Sequence, residues 1–263
     1  MKNSLFALFQ NLPRPLRHKR SGAVLLCSLL LLAGCASNES EEDTLINNIT
    51  KAYETAQKSV QNQNYRRAIQ IFETLQARFP FSDLSKQIQL ELMYAYYKSN
   101  QREQAVDAAD TFMRENPTHA RYDYALYIKA LAHFEREPGL LERWFKRDIT
   151  KRPPRDGQLA YSLFMRLVER YPASPYAADA EQRMVYLKNR LAAYENSVAR
   201  FYLERDANVA ALTRAKNALE EYNGSDSTRE SLDIMIEAYD RLGMSELAAD
   251  VRRVRAQNFP SGD

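Results

Sequence analysis

Five segments of this chain end alike, and the residues leading into those endings repeat. The endings are Phe79-Pro80, Asn116-Pro117, Tyr171-Pro172, Tyr222-Asn223 and Phe259-Pro260. Twelve residues before the second member of each pair stands an alanine: Ala68, Ala105, Ala160, Ala211 and Ala248. Eight before it stand Phe72, Ala109, Phe164, Ala215 and Arg252. A small residue where two helices cross closely, another packing position a turn later and a helix-ending proline form the second half of a tetratricopeptide repeat. The first halves are legible too. Ala52 to Gln61 precedes Asn62-Gln63-Asn64, Ile88 to Lys98 precedes Ser99-Asn100, and Leu232 to Arg241 precedes Leu242-Gly243, where glycine suits a helix C-terminus. The expected fold is all-α: a right-handed superhelix of five helix-turn-helix units, about ten helices, each pair packing on its neighbours.

The endings lie 37, 55, 51 and 37 residues apart. The first and last steps are near the period of roughly 34 residues of a minimal repeat. The two middle steps hold extra sequence. In the third unit a helix near Tyr122 to Glu135 is followed by Pro138-Gly139 and a segment with Trp144, Phe145 and Pro153-Pro154, before a helix opening near Leu159. In the fourth, one long helix is expected from Tyr176 to about Arg205, with Leu187, Leu191, Tyr194, Val198 and Phe201-Tyr202 at helical spacing.

The N-terminus is of another kind. Residues 1–20 carry Lys2, Arg14, Arg17, Lys19 and Arg20 and no acid. A leucine-rich uncharged run from Ala23 to Leu32 follows, then Ala33-Gly34-Cys35. This is the plan of a secretory signal, and the run falls short of the roughly 20 apolar residues that span a bilayer. Leu32-Ala33-Gly34-Cys35 resembles a lipobox, in which the cysteine receives a lipid before cleavage. Cys27 leaves with the signal, so the mature chain keeps only Cys35 and can form no internal disulfide. Residue 36 is Ala rather than Asp, which by the usual sorting rule directs a lipoprotein to the outer membrane. The expected divisions are 1–34, signal; 35–44, acylated cysteine and a polar, acidic, flexible tether; 45–157, units one and two and the first part of unit three with its insertion; and 158–263, the remainder.

Removing the signal takes five of the 37 basic residues and none of the 34 acidic ones, which turns a formal +3 into −2. Nothing here asks for nucleic acid as a partner, which favours a concentrated basic surface. Catalysis and metal binding find no support either. The mature chain has two histidines, His119 and His133, outside any His-Glu-x-x-His pattern, and no glycine-rich phosphate loop or G-x-S-x-G elbow. No cofactor is expected.

Beyond the generic repeat, one block is specific: Arg78-Phe79-Pro80-Phe81 followed by Gln87 to Lys98, with Tyr94-Ala95-Tyr96-Tyr97 near its end. Together with Asn116-Pro117-Thr118-His119, Asp123-Tyr124-Ala125-Leu126-Tyr127 and Tyr186 to Ala192, the lipobox and the third-unit insertion, it resembles the BamD family, lipoproteins of the β-barrel assembly machine. The likeness spans essentially the whole mature chain. It implies a non-enzymatic protein on the periplasmic face of a Gram-negative outer membrane. Its N-terminal repeats would receive unfolded outer-membrane proteins through a C-terminal, aromatic-ended signal. Its C-terminal repeats would dock on a BamA-like barrel subunit beside sister Bam lipoproteins. By position, the receiving surface falls on Phe79, Pro80, Phe81, Tyr94, Tyr97, His119 and Tyr124, and the docking surface on Glu204, Arg205 and Arg214. Two departures stand out: Asp206 and Asn208 where glycine and an aromatic are usual, and Asn223 in place of proline.

Plainer readings exist for each. More than half of the 16 tyrosines are expected to be interhelical packing. Phe79 and Phe81 beside a turn can staple two helices, His119 can cap one, and Arg214 can pair within the chain. The cluster Arg252-Arg253-Val254-Arg255 reads as a solvated face near a helix C-terminus. Competing functions are a scaffold for cell-wall enzymes, which predicts the same repeats without the specific block, and a lipoprotein hydrolase.

Overall fold

The computed structural model describes residues 39–134 and 154–260. The signal, Cys35 and the third-unit insertion with Trp144 and Phe145 lie outside the described residues. Among those described there are ten helices: α1 Glu39–Gln61, α2 Tyr65–Arg78, α3 Ser85–Lys98, α4 Arg102–Glu115, α5 Tyr122–His133, α6 Arg155–Arg170, α7 Ala177–Leu203, α8 Asn208–Glu221, α9 Thr228–Arg241 and α10 Ser245–Asn258. They form five consecutive pairs. The chain divides into a short unit ending at Lys51 and a compact unit from Ala52 onward, which holds the repeats. Helix α1 begins at Glu39, inside the stretch expected to be a flexible tether.

Two kinds of turn recur, and each is dictated by a local rule. Within a pair, one residue adopts the left-handed conformation: Gln63 (φ 59°), Asn100 (63°), Asp206 (54°) and Gly243 (73°). The next residue then returns its N–H to the carbonyl five residues back: Asn64 to Ser59, Gln101 to Tyr96, Ala207 to Tyr202 and Met244 to Tyr239. This Schellman closure satisfies carbonyls that the helix end leaves without partners. The third pair carries its insertion at this place instead.

Between pairs, the five endings share one backbone shape. Phe79, Asn116, Tyr171, Tyr222 and Phe259 have φ of −132°, −129°, −131°, −125° and −134° and ψ between 41° and 73°. A following proline disfavours the helical conformation of the residue before it. Tyr222 takes the same shape before Asn223, so the loss of that proline does not alter the turn. Ser82, His119, Ser174 and Ser225 then donate their N–H groups back to the carbonyls of the first four of these residues. Four turns thus share this closing bond.

The five register alanines are all fully buried, as are Phe72, Ala109, Phe164 and Ala215. The fifth position of the second series, Arg252, faces solvent and pairs with Asp240. Helix α10 closes the row and buries only Ala248. Two apolar clusters result. One runs from Leu90 through Phe112, Leu126 and Phe164 to Leu191, the other from Ala199 through Met235 to Ala248. The 27-residue α7 belongs to both. Its buried seam is Leu187, Leu191, Glu195, Asn196, Ala199 and Leu203. Tyr194, Val198 and Phe201, whose spacing suggested the same stripe, lie partly or well exposed. Asn196 tolerates burial because it is bonded on both sides: its Nδ2 donates to the Ser227 carbonyl at 3.0 Å and its Oδ1 accepts from Ser231 Oγ at 2.8 Å.

Candidate functional site

Two groups of tyrosine rings lie along the first three pairs and the start of the fourth. Tyr94 on α3 meets Tyr65 edge-on, with ring centroids 6.3 Å apart. Tyr124 and Tyr127 stand one turn apart on α5. Tyr176, just before α7, stacks on Tyr127 at 4.7 Å and tilts against Tyr124 at 5.5 Å. Such pairs contribute about 0.5–1.5 kcal/mol beyond the area they bury. Arg121, just before α5, occupies the register position that Tyr176 occupies one repeat later. Its guanidinium lies 4.7 Å over the Tyr124 ring and donates from Nη2 to the Tyr176 hydroxyl at 3.1 Å.

Charge is placed sparingly around these rings. Tyr127 donates its hydroxyl to Asp179 at 2.5 Å, and Arg183 grips the same carboxylate through Nε. Burial, then the hydrogen bond to Asp179, pushes the Tyr127 hydroxyl up to about 12. Burial works against ionisation of Asp179, but the bonds from Arg183 and Tyr127 outweigh it and hold its pKa below the usual value. Tyr124 is held well above the usual phenol range, by burial first and by the Glu91 charge second; Arg121 opposes weakly. Glu91 also raises Tyr53 and Tyr94, in each case behind burial. Two carboxylates, Asp179 and Glu91, and two guanidiniums, Arg183 and Arg121, therefore flank a half-buried aromatic surface.

The structure separates the receiving residues suggested by the sequence. Tyr94 and Tyr124 belong to these groups. Tyr97, like Tyr94 and Tyr124, is half-buried and packs on the first core cluster, but no ring contact joins it to them. Phe79 closes α2 and is half-buried, whereas Phe81 is 98% exposed beside exposed Pro80. His119 serves its own turn. Its Nδ1 accepts the Arg121 N–H at 3.1 Å, as Ser174 Oγ accepts the Tyr176 N–H one repeat later at 3.3 Å. Its ring packs edge-on against buried Phe112 at 5.2 Å.

At the other end, Arg205 lies over the Phe201 ring at 3.5 Å and donates to the Phe201 carbonyl, while Glu204 is exposed. Phe201 and Val209 are themselves largely exposed. Arg214 is engaged within the molecule, with both oxygens of buried Glu195 within 3.2 Å. Arg241 fastens the same corner by donating to the Leu203 carbonyl at 2.7 Å and pairing with Asp206.

Arg121, Tyr127, Tyr176 and Asp179 were not singled out from sequence. Superposing the four inter-pair turns would have found Arg121 and Tyr176, because they fill the same slot in consecutive turns. Among the described residues no three His, Cys, Asp or Glu side chains are grouped as a metal would require, and no helix is long and apolar enough to cross a membrane.

The row of paired helices, with half-buried aromatics and a few placed charges on it, has the architecture of a tetratricopeptide-repeat protein. The family model described as YfiO, outer membrane lipoprotein, matches residues 47–254, and the chain belongs to that family. Its relatives include the outer membrane protein assembly factor BamD of Neisseria meningitidis serogroup A, 40% identical over 235 residues and 88% of each chain. The protein of the same name from Vibrio cholerae is 36% identical over 89% of this chain and 96% of its own. That of Haemophilus influenzae is 31% identical over 90% and 89%.

Proposed function

We propose that this chain is a lipid-anchored subunit of an outer-membrane β-barrel assembly machine, held to the periplasmic face through acylated Cys35. The observation that carries the reading is 40% identity over 88% of a protein named as an outer membrane protein assembly factor. The work of such a subunit is recognition rather than chemistry. Its first three units receive unfolded outer-membrane protein segments along Tyr94, Tyr124 and their neighbours, with Phe81 as an exposed contact at the edge. Tyrosine suits this role because it offers an apolar face and a polar rim together.

The last two units dock on a BamA-like barrel subunit. Exposed Glu204, Arg205, Phe201 and Val209 supply the contact. Arg214 keeps its Glu195 pair and presents its remaining donors, the side chain being 39% exposed. Arginine stacked on an aromatic ring is a favoured interface element.

Affinity capture of the tagged lipoprotein from detergent-solubilised envelopes, followed by mass spectrometry, tests this reading. Near-stoichiometric recovery of a BamA-like subunit, with sister lipoproteins, is the expected result. Recovery of cell-wall hydrolases or synthases without that subunit would replace it with a scaffold for cell-wall enzymes.

A further inference from the structure

Arg166 and Arg170 stand one turn apart on the solvent face of α6, and both are exposed. One tyrosine holds the two of them. Arg166 donates from Nη2 to the Tyr122 hydroxyl at 3.1 Å. The Arg170 guanidinium lies 5.6 Å from the centres of both the Tyr122 and Tyr171 rings, which are themselves 5.9 Å apart. Neither arginine has a carboxylate partner among the described residues. On the next helix, by contrast, Arg183 grips Asp179 and Arg200 grips Glu230.

The helix dipole favours a cation in a last turn, and Arg170 fills that place. It does not call for Arg166 one turn earlier, and like charges four residues apart repel each other. A guanidinium has five N–H donors in a fixed fork, so the bond to Tyr122 leaves most of the Arg166 donors free. Bracing against the rings lowers the entropy lost when the free donors bind an anion. Arginine and tyrosine together are favoured interface elements.

The geometry narrows the ligand. Four residues of helix advance by about 6 Å. The two forks therefore suit two carboxylates at that spacing, on alternate residues of an extended segment or one turn apart on a helix. Leu159, 41% exposed, lies on the same face two turns before Arg166 and adds an apolar contact. A membrane surface fits less well. Anionic lipid surfaces are read by clusters of about 4–8 basic residues, whereas these two arginines share their face with exposed Glu169.

We propose that the solvent face of α6 is a docking surface for an acidic segment of a partner protein, with Arg166 and Arg170 each gripping one carboxylate and Leu159 receiving an apolar side chain. None of these residues belongs to either surface proposed above.

Photo-crosslinking in intact envelopes tests it. The full lipoprotein carries a benzophenone amino acid in place of Ser162, which is exposed one turn before Arg166. Mass spectrometry of the crosslinked peptides is expected to find a segment with two acidic residues two or four positions apart. Arg166→Glu combined with Arg170→Glu should cut the yield at least about tenfold, the factor that a lost charged hydrogen bond implies. Arg166→Lys combined with Arg170→Lys keeps the charge without the forks and should retain part of the yield. Replacing the two partner acids with lysine should restore crosslinking to the doubly charge-reversed variant, which a merely misfolded variant could not regain. Crosslinks confined to lipid, crosslinks to segments without paired acids, a yield indifferent to charge reversal, a loss that the exchange of charges does not rescue, or no crosslink at all would each overturn the proposal.

Discussion

Arg214 on α8 reaches both carboxylate oxygens of Glu195 on α7, at 3.1 and 3.2 Å, and the Glu195 side chain is only 6% exposed. The hydrogen bond to Glu195 is the main cause of the raised Arg214 pKa. Removing one partner of such a pair leaves a buried charge uncompensated, which costs about 3–5 kcal/mol. Arg214→Glu is therefore expected to lose roughly that much stability in urea denaturation, and weakened docking by this variant would not identify a contact. Replacing both residues with methionine is expected to cost little, because a buried ion pair and an apolar pair of similar volume are close in free energy. The double variant separates docking from folding. Unchanged affinity for a BamA-like subunit in a well-folded double variant would remove Arg214 from the docking surface.

Gln63 holds a left-handed conformation (φ 59°) in the first pair, where the last pair has Gly243 (φ 73°). A side chain there costs roughly 1–2 kcal/mol, offset in part by the entropy that glycine adds to the unfolded chain. Gln63→Gly should stabilise by up to about 1 kcal/mol, a rise in Tm of about 2–4 °C for a domain of this size. Asp206→Gly should gain less. Aspartate tolerates this conformation better, and its pair with Arg241 at 3.3 Å is lost. Differential scanning calorimetry of both variants checks the order. A lower Tm for Gln63→Gly would contradict the strain assigned to this turn.

Ala105 is fully buried at the crossing of α4 with its neighbours, in the register shared by Ala68, Ala160, Ala211 and Ala248. Added methylenes have nowhere to go, so Ala105→Leu should destabilise by about 1–3 kcal/mol. Arg252 occupies the second register position but is half-exposed in a surface pair, and Arg252→Ala should cost under about 1 kcal/mol. Chemical denaturation of the two variants decides it. Equal losses would mean that the repeat register does not mark the packing seam.

The pair boundaries were legible because they rest on local rules. Proline after a helix, glycine or asparagine at a left-handed position and alanine at a crossing act through the backbone of a few neighbouring residues. The seam of α7 was less legible. Tyr194, Val198 and Phe201 gave the apolar signal, yet close packing favoured Ala199, and hydrogen bonding let Asn196 and Glu195 enter the core. The aromatic group of the candidate site was half legible for a similar reason. Tyr94 and Tyr124 were named by resemblance, but Arg121 and Tyr176 are 55 residues apart. They meet only because the inserted third unit leaves them in one register. His119 stands where the next repeat has Ser174, and its Nδ1 and ring engage the turn.

Tyr127 links the α5 and α7 helices through its bond to Asp179, and its hydroxyl is pushed up to about 12 by burial and then by that bond. The folded pKa lies above the ordinary phenol value of about 10, so the folded state favours the protonated hydroxyl. The stability this contributes is complete below about pH 10 and is lost as pH rises toward about 12. Tyr127→Phe should lower stability at neutral pH by about 1.5–3 kcal/mol, the usual range for a hydrogen bond to a charged group. It should also lose less stability than the unaltered protein between those two pH values. Urea denaturation repeated across that window, followed by far-UV circular dichroism, reads both effects. Because other buried tyrosines are raised as well, the informative quantity is the difference between the two proteins. Parallel curves would mean that Tyr127 ionises in the folded state without disturbing the contact between α5 and α7.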